Sequence, residues 1–318
     1  MFNTKTAVIG VGSMGRHHAR VLNEISDLVA VIDLDKKQGT EIAKNLGVPW
    51  FSNFSEVREN IEAISIAVPT SFHLGVFQLV SPHVRSVLIE KPLSSSISDS
   101  KKIIDISKKN SNKLMIGQIE RFNPVIQFAK EKLSSGTWGK IKNISARRFS
   151  NFPTRITDVG VILDLSIHDI DLINYLSGEK CLNVYTAGSK SNDTGKEEDV
   201  KILMNYSNGI TALCETSWLS NQRIREIVIL TDKLFVKLDL LNLKIFTSND
   251  ADELSADNKE IQIEYLEPLK SELNNFLLYS NNEIANPVKG TEGLSSVCIV
   301  ENALNSLEEK IKIDINLI

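Results

Sequence analysis

The feature that most constrains the fold of this chain is a run of glycines directly after its first apolar segment. Residues 6–10 form a short apolar run. It leads into Gly10-Val11-Gly12-Ser13-Met14-Gly15, which has the spacing G-x-G-x-x-G. Apolar residues then recur at helical spacing as far as Ile25. Glycine allows a sharp turn and a close approach of helix to strand, so the segment predicts a tight strand–turn–helix unit.

The first 117 residues repeat this alternation of short apolar strands and amphipathic helices. Candidate buried strands after the first one lie at residues 28–32, 63–68, 86–89 and 114–116. Short strands separated by helices are typical of a parallel sheet with helical crossovers. We therefore predict an α/β fold that begins with a Rossmann-type, doubly wound parallel sheet.

The pattern changes after Gly117. Helical segments are predicted at 122–133 and 165–176, and from 182 to 246 one strand pattern follows another. Ser207-Asn208-Gly209 between two of these strands is a hairpin signal, so the second sheet is expected to be antiparallel. We place residues 1–118 in the first domain and 119–318 in the second.

The glycine turn has the chemistry of a dinucleotide site. The second glycine lets the backbone approach a pyrophosphate, and the helix start offers free N–H groups to it. Asp33 ends the second strand, where an acidic residue binds ribose hydroxyls and repels a 2′-phosphate, and no arginine stands beside it. This favours NAD over NADP, while FAD and S-adenosylmethionine remain alternatives from these residues alone. The cofactor-binding residues predicted here are Gly10, Gly12, Ser13, Met14, Gly15 and Asp33.

Composition narrows the class of protein. The 318 residues carry a formal net charge of −4, which disfavours a general nucleic-acid binder. The three cysteines match no zinc or redox spacing and indicate a reducing compartment. The N-terminus has no signal-peptide pattern, and no apolar stretch of about 18 residues predicts a membrane span. We expect a cytoplasmic protein with neither nucleic-acid nor membrane partners.

Two further motifs follow the fourth and fifth predicted strands. They read Val68-Pro69-Thr70-Ser71-Phe72-His73 and Glu90-Lys91-Pro92. Together with the glycine turn they resemble the Gfo/Idh/MocA oxidoreductase family. The resemblance implies a Rossmann domain that binds NAD. It also implies a second α/β domain, built on a large open, mainly antiparallel sheet, and this domain binds substrate and forms oligomers. Finally, it implies a cis peptide before Pro92 and a place for Lys91 in the active site. It adds as cofactor contacts Pro69, Thr70, His73, Glu90 and Lys91.

The family signature Asp-x-x-x-His matches Asp164 and His168. Residues four apart share a helix face, so both can point into one cleft. The resemblance implies Lys91, Asp164 and His168 as catalytic residues: His168 as general base, Lys91 as charge partner on the same oxygen or as the alternative base, and Asp164 as the group that orients His168 or holds a hydroxyl. A metal site with Asp171 is a weaker interpretation, because the family works without metal, and we predict none.

A narrower resemblance comes from residues 117–124 and 146–161, which look like the family branch that oxidises nucleotide sugars. Arginine forks bind phosphates well, and this region holds Arg121, Arg147, Arg148 and Arg155. Because Arg147 and Arg148 alternate on a strand, one of them is expected to face away, and at most two of the four to touch substrate. The predicted substrate-binding residues are Arg121, Asn123, Arg148, Arg155, Asp164 and His168. Gln118 departs from the branch, which usually shows histidine there.

Three functions follow from these patterns. The first is NAD-dependent oxidation of a secondary hydroxyl on a UDP-sugar. The second is a dehydrogenase for a free polyol such as myo-inositol, or for an aldose, which has no use for phosphate-binding arginines. The third is a non-catalytic NAD-binding sensor, disfavoured because Lys91, Asp164 and His168 are all present. The resemblance also implies a homodimer or homotetramer.

Overall fold

The structure is a computed structural model that describes residues 1–152, 159–249 and 259–316. Its chain forms two compact units. Unit 1 comprises Met1–Ile119 and Glu267–Val297, and unit 2 comprises Glu120–Leu266 and Cys298–Ile318. Within the described ranges, no helix has the length and apolar character needed to cross a membrane.

Unit 1 is built on a six-stranded sheet with the strand order β3-β2-β1-β4-β5-β6. Every neighbouring pair in it is parallel. This is the doubly wound order of a dinucleotide-binding domain and confirms the predicted fold class. Strands β4 and β5 are buried at every residue, as expected for a sheet covered on both faces. The strands are β1 (Lys5–Ile9), β2 (Asp27–Ile32), β3 (Trp50–Phe51), β4 (Ala63–Ile66), β5 (Ser86–Glu90) and β6 (Lys113–Gly117).

Unit 2 is built on a nine-stranded sheet with the order β14-β13-β12-β11-β7-β10-β9-β8-β15. Strands β7 and β10 pair in parallel, and the other neighbours pair antiparallel. The predicted hairpin is confirmed, with Asn208 in a left-handed conformation between β9 and β10. The strands are β7 (Ile141–Asn151), β8 (Cys181–Lys190), β9 (Glu197–Tyr206), β10 (Thr211–Ser217), β11 (Leu219–Thr231), β12 (Phe235–Asp239), β13 (Lys244–Ser248), β14 (Lys259–Gln262) and β15 (Ile313–Asp314).

Helix α2 begins and ends at residues that favour helix termini. The side chain of Asp35 accepts a hydrogen bond from the Gln38 N–H at the start of α2, and Gly47 ends that helix with a left-handed φ of 72°. In unit 2, α6 packs on β7 and β10, and α5 on β12. The helices are α1 (Gly15–Ile25), α2 (Lys36–Leu46), α3 (His73–Val80), α4 (Ile97–Lys109), α5 (Pro124–Ser134), α6 (Ile167–Ser177), α7 (Pro268–Ser280) and α8 (Gly290–Glu309).

The domain division differs from the prediction in one long segment. Residues 119–318 were all expected in the second domain, but Glu267–Val297 belongs to unit 1. There α7 packs against α1 and β6, and it buries the apolar side chains of Leu269, Leu273 and Phe276. The helical period of α7 predicts a buried face but carries no information on which surface covers it.

Candidate active site

The glycine turn of unit 1 needs glycine at two places for steric reasons. Gly10 has a φ of 82°, a conformation that side chains disfavour. A Cβ on Gly15 would lie 1.7 Å from the carbonyl oxygen of Gly10, so only glycine lets α1 start this close to β1. Above Gly12 the space is open, and the nearest atom to a Cβ there is the side-chain nitrogen of Gln38 at 3.9 Å. A ligand can therefore approach the backbone at Gly12.

Asp33 lies at the end of β2 with its carboxylate held in place. One oxygen accepts the backbone N–H of Val11 at 2.7 Å, and the other accepts the N–H of Asp35 at 2.8 Å. The side chain is thus fixed between the glycine turn and the start of α2. Both oxygens keep further acceptor capacity, because a carboxylate can accept about four hydrogen bonds.

A cavity of about 560 Å³ brings several of the predicted cofactor residues together. It lies where the order of the parallel strands reverses, between β1 and β4, which is the usual ligand site of such a sheet. Its volume is within the range of small-molecule sites. Gly10, Gly12, Asp33 and Pro69 line it. The other predicted cofactor residues, which do not line it, are Ser13, Met14, Gly15, Thr70, His73, Glu90 and Lys91.

His73 is held between two loops of unit 1. The ring is 1% exposed, and its Nδ1 lies 2.9 Å from the carbonyl oxygen of Pro92. Its Nε2 lies 3.0 Å from the carbonyl oxygen of Val68. Burial lowers the pKa of His73 below its ordinary value. His73 therefore ties the loop after β4 to the loop after β5, and its predicted cofactor contact stays a prediction.

The Glu90-Lys91-Pro92 motif has the expected cis peptide between Lys91 and Pro92. Glu90 is 6% exposed, with one oxygen 2.7 Å from the Nε2 of His18 and the other accepting the Lys91 N–H at 2.9 Å. Burial alone raises the pKa of Glu90, but His18 and Lys91 outweigh it, and the net pKa is lowered. Glu90 is therefore bonded to His18 and to the backbone of Lys91, and its predicted cofactor contact stays a prediction. Lys91 itself is half-buried.

In unit 2, Asp164 and His168 lie in successive helical turns. Asp164 belongs to a π-helical turn, Ile162–Ser166, that runs directly into α6, where His168 is the second residue. Both side chains are half-buried, whereas their neighbours Asp169 and Asp171 are buried. A π turn inserted at the start of an α-helix is frequent at functional sites. Apolar spacing predicts only an ordinary helix here, so this turn was not predictable from the pattern of residues.

Two predicted substrate arginines are committed to buried ion pairs. Arg121 donates to both oxygens of Asp171 at 2.7 and 2.8 Å, and Arg148 binds Asp169 at 2.8 Å. Each arginine is 2% exposed. Arg148 also donates to Glu120 at 2.8 Å. Buried carboxylates already occupy these guanidinium forks, which disfavours the predicted phosphate contacts.

Asn123 and Arg155 complete the predicted substrate set. The Asn123 side chain is 7% exposed and accepts the Val125 N–H at 3.0 Å at the start of α5. It is a helix cap, and its predicted substrate contact stays a prediction. Arg155 lies outside the described residues, so its role stays a prediction.

Sequence reasoning missed two buried polar residues of unit 1, His18 and Glu272. Both are 0% exposed. Each interrupts the apolar face of a helix: His18 lies four residues before Leu22, and Glu272 lies three after Leu269. A polar residue at an apolar position of a helical pattern is the signal that would have found them.

Comparison with known proteins agrees with this geometry. Residues 4–118 match the model of the oxidoreductase family Gfo/Idh/MocA with an NAD-binding Rossmann fold, and residues 126–235 match the C-terminal domain of the same family. The chain belongs to the Gfo/Idh/MocA oxidoreductase family. It is an NAD(P)-dependent dehydrogenase that acts on CH–OH groups, as its named relatives are dehydrogenases.

Two curated relatives and one solved structure illustrate the likeness. The chain is 30% identical to UDP-N-acetylglucosamine 3-dehydrogenase of Acidithiobacillus ferrooxidans over 76% of each chain. It is 27% identical to myo-inositol 2-dehydrogenase of Thermotoga maritima over 96% of this chain and 97% of the relative. The solved structure of the A. ferrooxidans enzyme superimposes with a TM-score of 0.90 at 26% identity, covering 97% of this chain and 99% of that one.

Proposed function

We propose that this dehydrogenase oxidises a secondary hydroxyl of a UDP-sugar to a ketone, with C3 of UDP-N-acetylglucosamine, or of a related UDP-sugar, as the carbon oxidised. The observation that carries the proposal is the 30% identity to UDP-N-acetylglucosamine 3-dehydrogenase over 76% of the chain. The blocks at 117–124 and 146–161, which resemble the nucleotide-sugar branch, support it.

In this proposal Arg121 and Arg148 do not bind the diphosphate, since both are buried against carboxylates. Arg147, on the opposite face of β7, pairs with Glu215 and Glu226. Of the four arginines considered, Arg155 is the one we propose as the phosphate contact.

We propose NAD as the cofactor, and the residues of unit 1 fit it. The open approach at Gly12 suits a pyrophosphate, and the cavity beside Asp33 suits the adenosine. The proposed contacts with NAD are the glycine turn, including Ser13 and Met14, and Asp33, which binds the ribose hydroxyls. Pro69 and Thr70 after β4 are further proposed contacts. NAD bound there would accept a hydride from the substrate carbon.

Asp33→Asn tests the cofactor preference. Asparagine keeps the shape and an acceptor for the Val11 N–H but removes the charge that repels a 2′-phosphate. We expect the Kd for NAD to rise about 10-fold and the preference for NAD over NADP to fall by a similar factor, since a hydrogen bond to a charged group is about 1 kcal/mol stronger than a neutral one. Titration of both cofactors by fluorescence measures this. Asp35→Asn is the matched control, and an unchanged NAD-to-NADP ratio in Asp33→Asn would refute the assignment.

For the chemical step, we propose that His168 removes the hydroxyl proton, that Lys91 places positive charge at the same oxygen, and that Asp164 orients His168 or holds a hydroxyl. The half-burial of all three side chains supports these roles, because each remains accessible to a ligand. Glu90 supports Lys91 through its backbone N–H. Asp169 and Asp171, held by buried arginines, anchor the helix that carries His168.

We also propose a cytoplasmic homodimer or homotetramer. The face of the nine-stranded sheet opposite α5 and α6 carries exposed apolar side chains, among them Tyr185, Leu203, Leu230 and Phe235. A ladder of ion pairs, Lys237–Glu226–Arg147–Glu215, crosses the same face. An apolar patch with ordered charges suits a second copy of the chain. The three cysteines are free and buried, in keeping with a reducing compartment.

The myo-inositol relative, which matches 96% of the chain, favours a polyol dehydrogenase as the second candidate. Purified protein with NAD is offered UDP-N-acetylglucosamine, UDP-N-acetylglucosaminuronic acid and myo-inositol separately, with a carbonyl trap, and absorbance of reduced cofactor is followed. We expect kcat/KM for one UDP-sugar to exceed that for myo-inositol by at least about 10-fold, since one charge-assisted phosphate contact is worth that much. Turnover of myo-inositol alone would replace the first candidate by the second. If none of the three substrates is oxidised although NAD is bound, both candidate functions would be contradicted.

A further inference from the structure

Three buried titratable side chains meet in unit 1 outside the residues that line the cofactor cavity. They are His18 on α1, Glu90 at the end of β5 and Glu272 on α7, each between 0% and 6% exposed. One nitrogen or oxygen atom from each lies within 4.8 Å of the others. His18 and Glu90 form a direct hydrogen bond of 2.7 Å, which is the length of a proton-bridged pair.

Glu272 is the unexplained member of this group. Both of its carboxyl oxygens are buried, and neither has a hydrogen-bond partner. An ionised carboxylate in that position would lose its hydration without compensation, which costs several kcal/mol. Burial first, and the nearby charge of Glu90 second, raise the pKa of Glu272 well above its ordinary value.

The elements packed around Glu272 decide where the charge of the group resides. Helix α1 contributes His18, β5 contributes Glu90, and Lys91 follows it. On β6, Lys113 donates to the carbonyls of Tyr279 and Ser280, at the opposite end of α7 from Glu272. His18 and Lys91 both favour the ionised form of Glu90, whereas Glu272 has a like charge as its neighbour. Two carboxyls placed so closely hold a proton on one of them.

We propose that Glu272 is a neutral carboxylic acid in the folded protein and acts as a positioning residue for Lys91, by packing against Glu90 without a competing charge. Glu90 then keeps one oxygen on His18 and the other on the Lys91 N–H. A second negative charge at Glu272 would push the Glu90 carboxylate off one of these partners. The protonation state stands on the geometry alone, and the link to Lys91 rests on the proposed function.

The protonation state is tested with Glu272→Gln, which keeps the shape of a neutral acid. The folded protein keeps a proton on Glu272 that the unfolded chain releases above pH about 4.5. The contribution of Glu272 to the free energy of unfolding is therefore fully present below that pH and is lost as the pH rises towards the folded-state pKa. Glu272→Gln escapes this loss. We expect the ratio of unfolding constants, parent over variant, to grow up to about 10-fold per pH unit above pH 4.5. Glu283→Gln, an exposed position after the same helix, is the control and should show a constant ratio.

Infrared difference spectra give a second readout. The carbonyl stretch of a protonated carboxylic acid should be present in the parent and in Glu283→Gln and absent from Glu272→Gln. If the band is unchanged in Glu272→Gln, or if that variant is destabilised equally at every pH, the neutral acid is refuted. A stoichiometric metal in the purified parent that is missing from Glu272→Gln would also overturn the proposal, since the three side chains would then be metal ligands.

The positioning role is tested by turnover with the sugar that the enzyme accepts. Glu272→Ala should lower kcat about 10-fold or more with the Kd for NAD unchanged, and Glu272→Gln should restore kcat to within about threefold of the parent. Equal losses in both variants would refute positioning by a neutral acid. If no sugar is turned over, the proposed function has failed, while the stability and infrared measurements still decide the state of Glu272.

Discussion

Lys91→Met is expected to lower kcat/KM by about 10³-fold and to leave the Kd for NAD within a few-fold of the parent. Methionine keeps most of the length and apolar volume of lysine but removes the charge that we propose acts at the substrate oxygen. The anchors of the adenosine cavity, Gly12 and Asp33, do not depend on this side chain. Steady-state turnover and a fluorescence titration with NAD measure the two effects separately.

His168→Asn is the companion variant, expected to cost about 10²- to 10⁴-fold in turnover because it removes the proposed general base. The pH dependence of kcat/KM separates the two candidate bases: its acidic limb should disappear in His168→Asn and persist in Lys91→Met. Persistence in His168→Asn would make Lys91 the base. Lys101→Met, an exposed lysine of α4, is the matched control and should behave as the parent. If NAD binding fell together with turnover in Lys91→Met, the proposed division of roles would be wrong.

Arg148→Met is expected to destabilise the protein by about 3–5 kcal/mol, because it leaves the Asp169 carboxylate buried without its partner. Arg148 is 2% exposed and binds Asp169 and Glu120 together. The neighbouring residue offers a matched control. The Arg147 side chain is 46% exposed and pairs with Glu215 and Glu226 on the open face of the sheet.

Arg147→Met is expected to cost under about 1 kcal/mol, because exposed ion pairs are hydrated and contribute little. Urea unfolding of the parent and the two variants, followed by circular dichroism, compares the losses. A loss in Arg148→Met no larger than in Arg147→Met would show that the buried pair is not a structural anchor. Arg148 would then return as a substrate contact.

The family and the catalytic candidates were accessible from the sequence because their signals are local. The glycine turn, the Asp33 strand end and the cap at Gly47 each depend on backbone conformations that neighbouring residues impose. Apolar periods of the first 117 residues likewise predict alternating strands and helices, and the strand order 3-2-1-4-5-6 confirms the doubly wound sheet.

Side-chain partners were not accessible in this way. Alternation along β7 predicts that Arg147 and Arg148 face opposite sides of the sheet. It does not predict that Arg148 binds Asp169, which lies 21 residues further along the chain. Charge patterns alone therefore do not distinguish arginines that bind phosphate from arginines in internal ion pairs. The same holds for His73, whose ring nitrogens face carbonyl oxygens brought together by two separate loops.

The sequence by itself determined the glycine turn and the parallel sheet that follows from it, and it named the candidates for the catalytic residues. Only the tertiary structure decided that the segment Glu267–Val297 joins the first unit, and that Glu272 meets His18 and Glu90 there. The physical reason is distance along the chain. Short-range sterics and periodicity are written in neighbouring residues, whereas the charge state of a buried carboxyl is set by groups that folding brings to it from remote segments.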